Sequence, residues 1–342
     1  MTATDLSATD LARAIATRKH SAVEVMTAFL DRIDAINPQV NAIVSRVDRG
    51  TLLAEAAEKD RILKAQGPMG ALHGLPMAVK DLEDVRGLPT TQGSPLFRGT
   101  VAETDSIMVS RMRAAGAIFI GKTNVPEFGF GSHTYNPVFG TTLNAYDQSR
   151  TAGGSSGGAA VALATRMVPL ADGSDHAGSL RNPAGFNNIF GFRPSFGRIP
   201  TEAADVFAAT LGVVGPMARS VADLALLLSV QAGPHPEAPL SIRESAASAT
   251  VPLDVSVRGR RIGWLGDLGG YLSVEPGILP LCEDGLRVLE NLGCEVEPIS
   301  IGFPMAELWD AWILLRSWGA ATALGEVYAD PAKQGLLKPE AR

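Results

Sequence analysis

The 342-residue sequence predicts an α/β fold. Three observations carry this prediction. Short apolar runs are bounded by turn residues, stretches of helical spacing lie between them, and the alternation continues to the far end of the chain. A helix opens at Ser21-Ala-Val-Glu24, where serine and a glutamate three residues on can each serve the other's backbone N–H. Apolar residues follow at Val23, Met26, Phe29, Leu30, Ile33 and Ile36, and Pro38 is expected to end the run. Residues 52–65 form a second helical stretch. Gly74-Leu-Pro-Met-Ala-Val-Lys80 reads as a strand ending at Lys80. Residues 105–115 are helical, 117–120 a short buried strand, 159–166 a helix, 168–171 a strand and 220–230 a capped helix. Residues 262–265, 278–292 and 296–301 read as strand, helix and strand. The Gly/Pro/Ala-rich stretch 232–252 reads as a surface loop rather than a linker, because the rhythm continues past it.

Composition narrows the function classes. The chain is 46% hydrophobic and 19% charged, which suits a folded core and not a disordered chain. Its formal net charge is −6 and no Lys/Arg block stands out, so nucleic acid is not expected as a partner. No apolar run approaches the roughly 18 residues of a membrane helix. The start, MTATDLSATDLARAI, lacks a basic segment followed by an apolar one, so no secretory leader is expected. Two cysteines, Cys282 and Cys294, make no disulfide framework, which suits a cytoplasmic location. Five scattered histidines, none in an HExxH pattern, suggest no metal site.

Two glycine-bearing stretches compete as functional sites. Residues 116–123, GAIFIGKT, match the pattern of a phosphate-binding loop letter for letter. That loop requires a strand before the first glycine and a helix after the lysine. Here a helical stretch precedes Gly116, apolar strand-forming residues fill the loop, and Asn-Val-Pro follows Thr123, so the nucleotide-binding reading is set aside. Residues 152–160, AGGSSGGAA, have the composition of a flexible linker. Yet Ala159-Ala-Val-Ala-Leu-Ala164 follows directly, so the stretch leads into a helix N-terminus. A second serine, Ser179, stands among small residues in DGSDHAGSLRNPA, 172–184. Lys80 sits at a strand end. A lysine and two serines in such settings point to a serine nucleophile activated without histidine. The base can be a lysine only if burial keeps it neutral.

With these stretches in place, the sequence resembles the amidase signature family of serine hydrolases. The resemblance rests on GLPMAVKD (74–81), GKTNVPEFGFGS (121–132), AGGSSGGAA (152–160), GSDHAGSLRNPA (173–184) and FGFRPSFGRIP (190–200), in the family's order and with its spacing of 24 positions between the two serines. It implies a large mixed central sheet covered by helices on both faces. It implies Lys80 as the base, Ser155 as the bridging serine after a cis peptide bond, and Ser179 as the acyl-enzyme nucleophile. Backbone N–H groups of His176, Ala177, Gly178 and Ser179 would form the oxyanion hole. Gly129, Phe130 and Gly131 would line the substrate side. Ser156, Asp175 and Arg181 would be supporting residues. His133 falls near the same region and reads as a structural or surface histidine. No cofactor or metal is implied.

The sequence departs from the family in two ways. His176 and Ala177 stand where two glycines usually precede the nucleophile; the N–H groups remain, but Ala177 adds a methyl. The chain is also short for the family. The expectation is a single amidase-signature domain over 1–342, lacking its C-terminal portion. The expected activity is cleavage of a small-molecule amide or carbamate, with a homodimer compatible with the sequence. Two other readings stay open: the glutaminase-type subunit of a tRNA-dependent amidotransferase, to which the length and the HAGS loop give no support, and an inactive binding protein on the same fold.

Overall fold

The computed structural model describes residues 2–202, 211–245 and 252–339. The chain divides into two compact units, Met1–Val251 with Pro331–Arg342, and Pro252–Asp330. The stretch 232–252, read from the sequence as a surface loop, contains that boundary, and its residues 246–251 lie outside the described residues.

In the first unit the elements run α1 (Ala8–Ala16), α2 (Ala22–Val40), β1 (Ile43–Val44), α3 (Arg49–Gln66), β2 (Pro76–Lys80), α4 (Ile107–Ala114) and β3 (Ile118–Thr123). They continue with the β4–β5 pair (Tyr135–Asn136, Gly140–Thr141), α5 (Gly157–Ala164), β6 (Leu170–Asp175), α6 (Arg181–Phe186), β7 (Phe190–Gly191), β8 (Val213–Ala218) and α7 (Val221–Gln231). Among the described residues six strands form one sheet in the order β1-β3-β2-β6-β8-β7. β3, β2 and β6 are parallel, while β1, β8 and β7 pair antiparallel with their neighbours. The sheet is therefore mixed, as the resemblance implies.

Alternation along the strands sorts the core onto two faces. Ala78, Ile118, Ile120 and Ala171 pack with Met26 and Leu30 of α2, Leu52 of α3 and Ala159–Leu163 of α5. Met77, Val79, Phe119 and Leu170 pack with Leu11 and Ile15 of α1, Met108 and Met112 of α4 and Leu227 of α7. Helices thus cover both faces. Lys80 shares the face of Ala78, which turns it toward α5.

The capping box at Ser21 forms as expected: the Glu24 N–H donates to Ser21 Oγ at 3.0 Å, and the Ser21 N–H to Glu24 Oε2 at 2.8 Å. Pro38 does not end α2, which runs on to Val40 and closes at Asn41 with φ +51°. A proline this late removes one backbone bond, and the burial of Val40 and the side-chain bonds of Asn37 favour continuation. Asn37 accepts from the N–H groups of Ala42 and Ile43 at 3.0 and 2.8 Å.

β3 and β6 extend further than hydropathy suggests, through Gly121-Lys122-Thr123 and through Asp172-Gly-Ser-Asp175. Lys122, Asp172, Ser174 and Asp175 enter the sheet because partners satisfy them there, while the Thr123 hydroxyl is buried without one. Residues 118–123 are all buried strand, followed by Asn124–Pro126 and one 3-10 turn at Glu127–Gly129. No helix begins at Lys122, which agrees with setting aside the phosphate loop.

The second unit contains β9 (Arg261–Trp264), α8 (Ile278–Asn291), β10 (Glu295–Pro298) and α9 (Met305–Ala329). β9 and β10 pair in parallel around the α8 crossover. A short helix, α10 (Pro331–Gln334), follows in the first unit. Among the described residues no helix is long and apolar enough to cross a membrane.

Candidate active site

The stretch AGGSSGGAA is not a linker: all of Ala152–Ala160 is buried. Two glycines show why no larger residue serves. Gly153 has φ +73°, and a Cβ there would lie 2.9 Å from the Pro183 Cα. A Cβ on Gly158 would lie 2.3 Å from the Asn124 nitrogen and 2.7 Å from the Ala42 oxygen, both backbone atoms that cannot move aside. The backbone at the start of α5 therefore presses against β3 and the segment after α2. The peptide bond between Gly154 and Ser155 is cis.

This packing delivers two hydroxyls to Lys80. Its Nζ lies 2.8 Å from Ser155 Oγ, 2.8 Å from Ser156 Oγ and 2.8 Å from Ser174 Oγ. Lys80 is fully buried. Desolvation lowers its pKa to about 7 against the opposing pull of Asp172, Glu83 and Asp175. An uncharged amine has two N–H donors and one lone pair, which matches three hydroxyl neighbours if two accept and one donates. Ser156 Oγ directs its own proton toward the Ser174 carbonyl at 3.4 Å, so it accepts from Lys80. Ser155 can then donate into the lone pair.

Ser179 is half-buried and is tied to this group through the main chain: the Ser156 N–H donates to the Ser179 carbonyl at 3.2 Å. Among the described residues no hydrogen bond joins the Ser179 and Ser155 hydroxyls. The loop before Ser179 is held by Asp175. Its side chain is fully buried and accepts from Arg181 Nε at 2.9 Å, Arg181 Nη2 at 3.1 Å, the Gly178 N–H at 2.7 Å and the Leu180 N–H at 3.2 Å. Burial would raise the Asp175 pKa, but the Arg181 and backbone hydrogen bonds reverse that and hold it at about 2. Because the Gly178 N–H is committed to Asp175, the N–H groups of Ala177 and Ser179 are the ones without an acceptor among the described residues. His176 and Ala177 are exposed.

Gly129 stands against the serine group, since a Cβ on it would lie 3.6 Å from Ser155 Oγ. Phe128, in a left-handed conformation at φ +55°, packs at 6.0 Å from Phe130 and edge-on at 6.2 Å from Phe97, giving an aromatic wall beside Gly129. His133, exposed, pairs with Thr151 Oγ1 at 2.8 Å.

The sequence reading missed several residues. Ser174, the third hydroxyl on Lys80, sits two positions beyond Asp172 on β6, and its place in GSDHAGSLRNPA was the available signal. Arg193 donates to both the Asp175 carbonyl and its carboxylate, the latter at 3.2 Å, and its place in FGFRPSFGRIP was the available signal. Lys338 had no signal. Its N–H donates to Glu127 Oε2 at 2.8 Å and its ammonium to the Phe130 carbonyl, so a distant part of the chain pins the Glu127–Phe130 turn.

The site is thus a mixed α/β sheet that buries a lysine among three serine hydroxyls beside an arginine-held loop. The chain belongs to the amidase family: the Amidase family model matches residues 24–330. It is 39% identical over 312 residues to an acylamidase from Rhodococcus erythropolis, covering 90% of this chain and 65% of that protein. It is 40% identical over 300 residues to one of the subunits of the glutamyl-tRNA(Gln) amidotransferase of Acidothermus cellulolyticus, covering 86% of this chain and 58% of that one. The chain thus spans less than two thirds of the length of these curated relatives. Among solved structures, a bacterial aryl acylamidase of the amidase signature family is similar with a TM-score of 0.89, at 29% identity over 98% of this chain and 71% of that one. The native peptide amidase of Stenotrophomonas maltophilia follows with a TM-score of 0.74, at 30% identity over 86% and 62%.

Proposed function

We propose that the chain hydrolyses small-molecule amides, with carbamates as related acyl substrates, through an acyl-enzyme on Ser179. The observation that carries this reading is the fully buried Lys80, whose pKa is lowered to about 7 and whose Nζ lies 2.8 Å from Ser155 Oγ. The Lys80 lone pair takes the Ser155 proton as Ser155 takes that of Ser179, and Ser179 Oγ bonds to the substrate carbonyl carbon. Charge develops on the carbonyl oxygen, where the Ala177 and Ser179 N–H groups are the available donors. The C–N bond then breaks and the proton returns through Ser155 to the leaving nitrogen. Water, deprotonated by the same relay, releases the acid and restores Ser179. No step of this reaction calls for a metal or organic cofactor.

The Phe97, Phe128 and Phe130 rings favour an apolar or aromatic acyl or amine group. This agrees with the names of the acylamidase and aryl acylamidase relatives. The glutamyl-tRNA(Gln) amidotransferase relatives, at up to 40% identity, support a second reading in which glutamine is the amide and partner subunits receive the ammonia. Ammonia release from glutamine, measured beside amine release from an anilide, separates the two.

The test of the hydrolase reading is intact mass after exposure to a fluorophosphonate probe. One adduct per chain is expected, and none on a Ser179→Ala variant that retains its circular dichroism. A folded wild-type chain that takes no adduct, or an adduct that survives in Ser179→Ala, sinks the reading.

A further inference from the structure

Asp172 has no part in the relay above, yet it is fully buried at the sheet position next to Lys80. β2 and β6 keep their parallel register only at Met77↔Leu170 and Ala78↔Ala171. Beyond that point the strands part, and the Lys80 N–H would lose its sheet acceptor. The Asp172 carboxylate takes that N–H instead, with Oδ1 at 3.1 Å and Oδ2 at 3.3 Å. On the other side, Asp172 remains in register with Pro216 of β8. A side chain thus replaces a main-chain acceptor where the sheet opens to admit the lysine amine and its serines.

Two lysines flank this carboxylate. A register shift between Met77 and Ala78 sets Val79 opposite Lys122 and Lys80 opposite Thr123, so the two lysines leave the sheet on opposite faces. Lys122 is buried, donates to the Glu83 carbonyl and to Thr90 Oγ1 at 3.2 Å, and lies 3.8 Å from Asp81. Lys122 therefore has its own carboxylate, whereas the hydrogen-bond partners of the Lys80 amine are hydroxyls.

We propose that Asp172 is a positioning residue for the lysine base: its carboxylate fixes the end of β2 by holding the Lys80 N–H, and from one strand away it places a buried negative charge within reach of the Lys80 amine, beyond its hydroxyl neighbours. The charged groups around the pair are Lys122 on β3, Glu83 after β2 and Asp175 on β6, with Asp81 beside Lys122. α5 and β8 present no titratable side chain to it. Burial raises the Asp172 pKa to about 6, opposed by the Lys80 N–H and by the two lysines.

This inference rests on the reading of Lys80 as the base, and its test separates the two. Asp172→Asn keeps an acceptor for the Lys80 N–H and removes the charge; Asp172→Ser removes the charge with a smaller side chain. Without the negative charge the ammonium form of Lys80 is less favoured, so its pKa falls. The acid limb of the probe-labelling rate should move about one unit to lower pH in either folded variant. A merely structural role would lower stability and leave the limb in place. If both variants fold, the wild type labels and the limb does not move, the inference is overturned.

If the wild type does not label, the hydrolase reading fails. The Lys80 ionisation is then followed by NMR of isotope-labelled lysine side chains in the wild type and in Asp172→Asn, and an unmoved midpoint overturns the inference on its own. If neither variant folds, the wild-type titration decides. A Lys80 curve broadened in step with the Asp172 carboxyl, followed by its own carbon signal, bears the inference out; a curve following one independent proton, or one coupled to Glu83 instead, overturns it.

Discussion

Lys80→Met is expected to slow acylation of Ser179 by about a hundred- to ten-thousand-fold, the range over which a positioned base acts. Methionine fills nearly the volume of the lysine stem and removes only the amine, so the three hydroxyls at Ser155, Ser156 and Ser174 lose their common partner. The wild-type rate should itself depend on pH with a fixed sign. The base must be uncharged, and its pKa stands near 7, so the labelling rate should be low below that value and rise through it. Stability follows from the same shift. The folded state gives up the Lys80 proton near pH 7 and the unfolded chain near its ordinary 10.5, so the unfolded state binds more protons between those values. Stability therefore rises with pH across that window through this group, and Lys80→Met should flatten the rise. The checks are the labelling rate against pH and urea unfolding at several pH values. A methionine variant that labels within a few-fold of wild type would remove Lys80 from the mechanism.

Asp175→Ala should cost about 3–5 kcal/mol of stability and abolish labelling of Ser179, because it strips a buried acceptor from several donors at once. Arg181 loses a two-pronged partner, Arg193 loses its carboxylate contact, and the N–H groups of Gly178 and Leu180 are left without an acceptor. The loop carrying the nucleophile is then free to move. The pH dependence has the opposite sign to that of Lys80. The folded pKa of about 2 lies below the ordinary 3.8, so Asp175 contributes its charge-linked stability above pH 3.8. That contribution, about 2 kcal/mol, is lost as pH falls toward 2. It is smaller than the cost of the alanine variant because a protonated carboxyl still accepts some of these bonds. A change below about 1 kcal/mol in urea unfolding, with labelling intact, would show that the loop holds its shape by other means.

Much of the site was legible in the sequence because glycine and serine spacing records where a backbone must come close. Gly153 stands at a positive φ and Gly158 at a sub-van-der-Waals approach, and those demands exclude other residues wherever the chain folds this way. The position of Lys80 at a strand end was legible from the apolar run before it and the turn signals around it. Hydropathy fails where polar residues enter the sheet. It stops β6 at Ala171 and β3 at Ile120, because a pattern rule treats Asp172, Ser174 and Lys122 as surface residues. They are sheet residues here only because each has a partner supplied from elsewhere.

By itself, then, the sequence determined the order of helices and strands and the identity of the lysine and serines. Each of these follows from local period, from caps and from the conformations that glycine alone allows. The tertiary structure decided what those residues can do. It set three hydroxyls at 2.8 Å from one desolvated amine. It committed the Gly178 N–H to Asp175 and brought Lys338 to the Glu127–Phe130 turn from far along the chain. Burial and charge–charge proximity depend on distances in space between segments remote in sequence, and no local pattern encodes them.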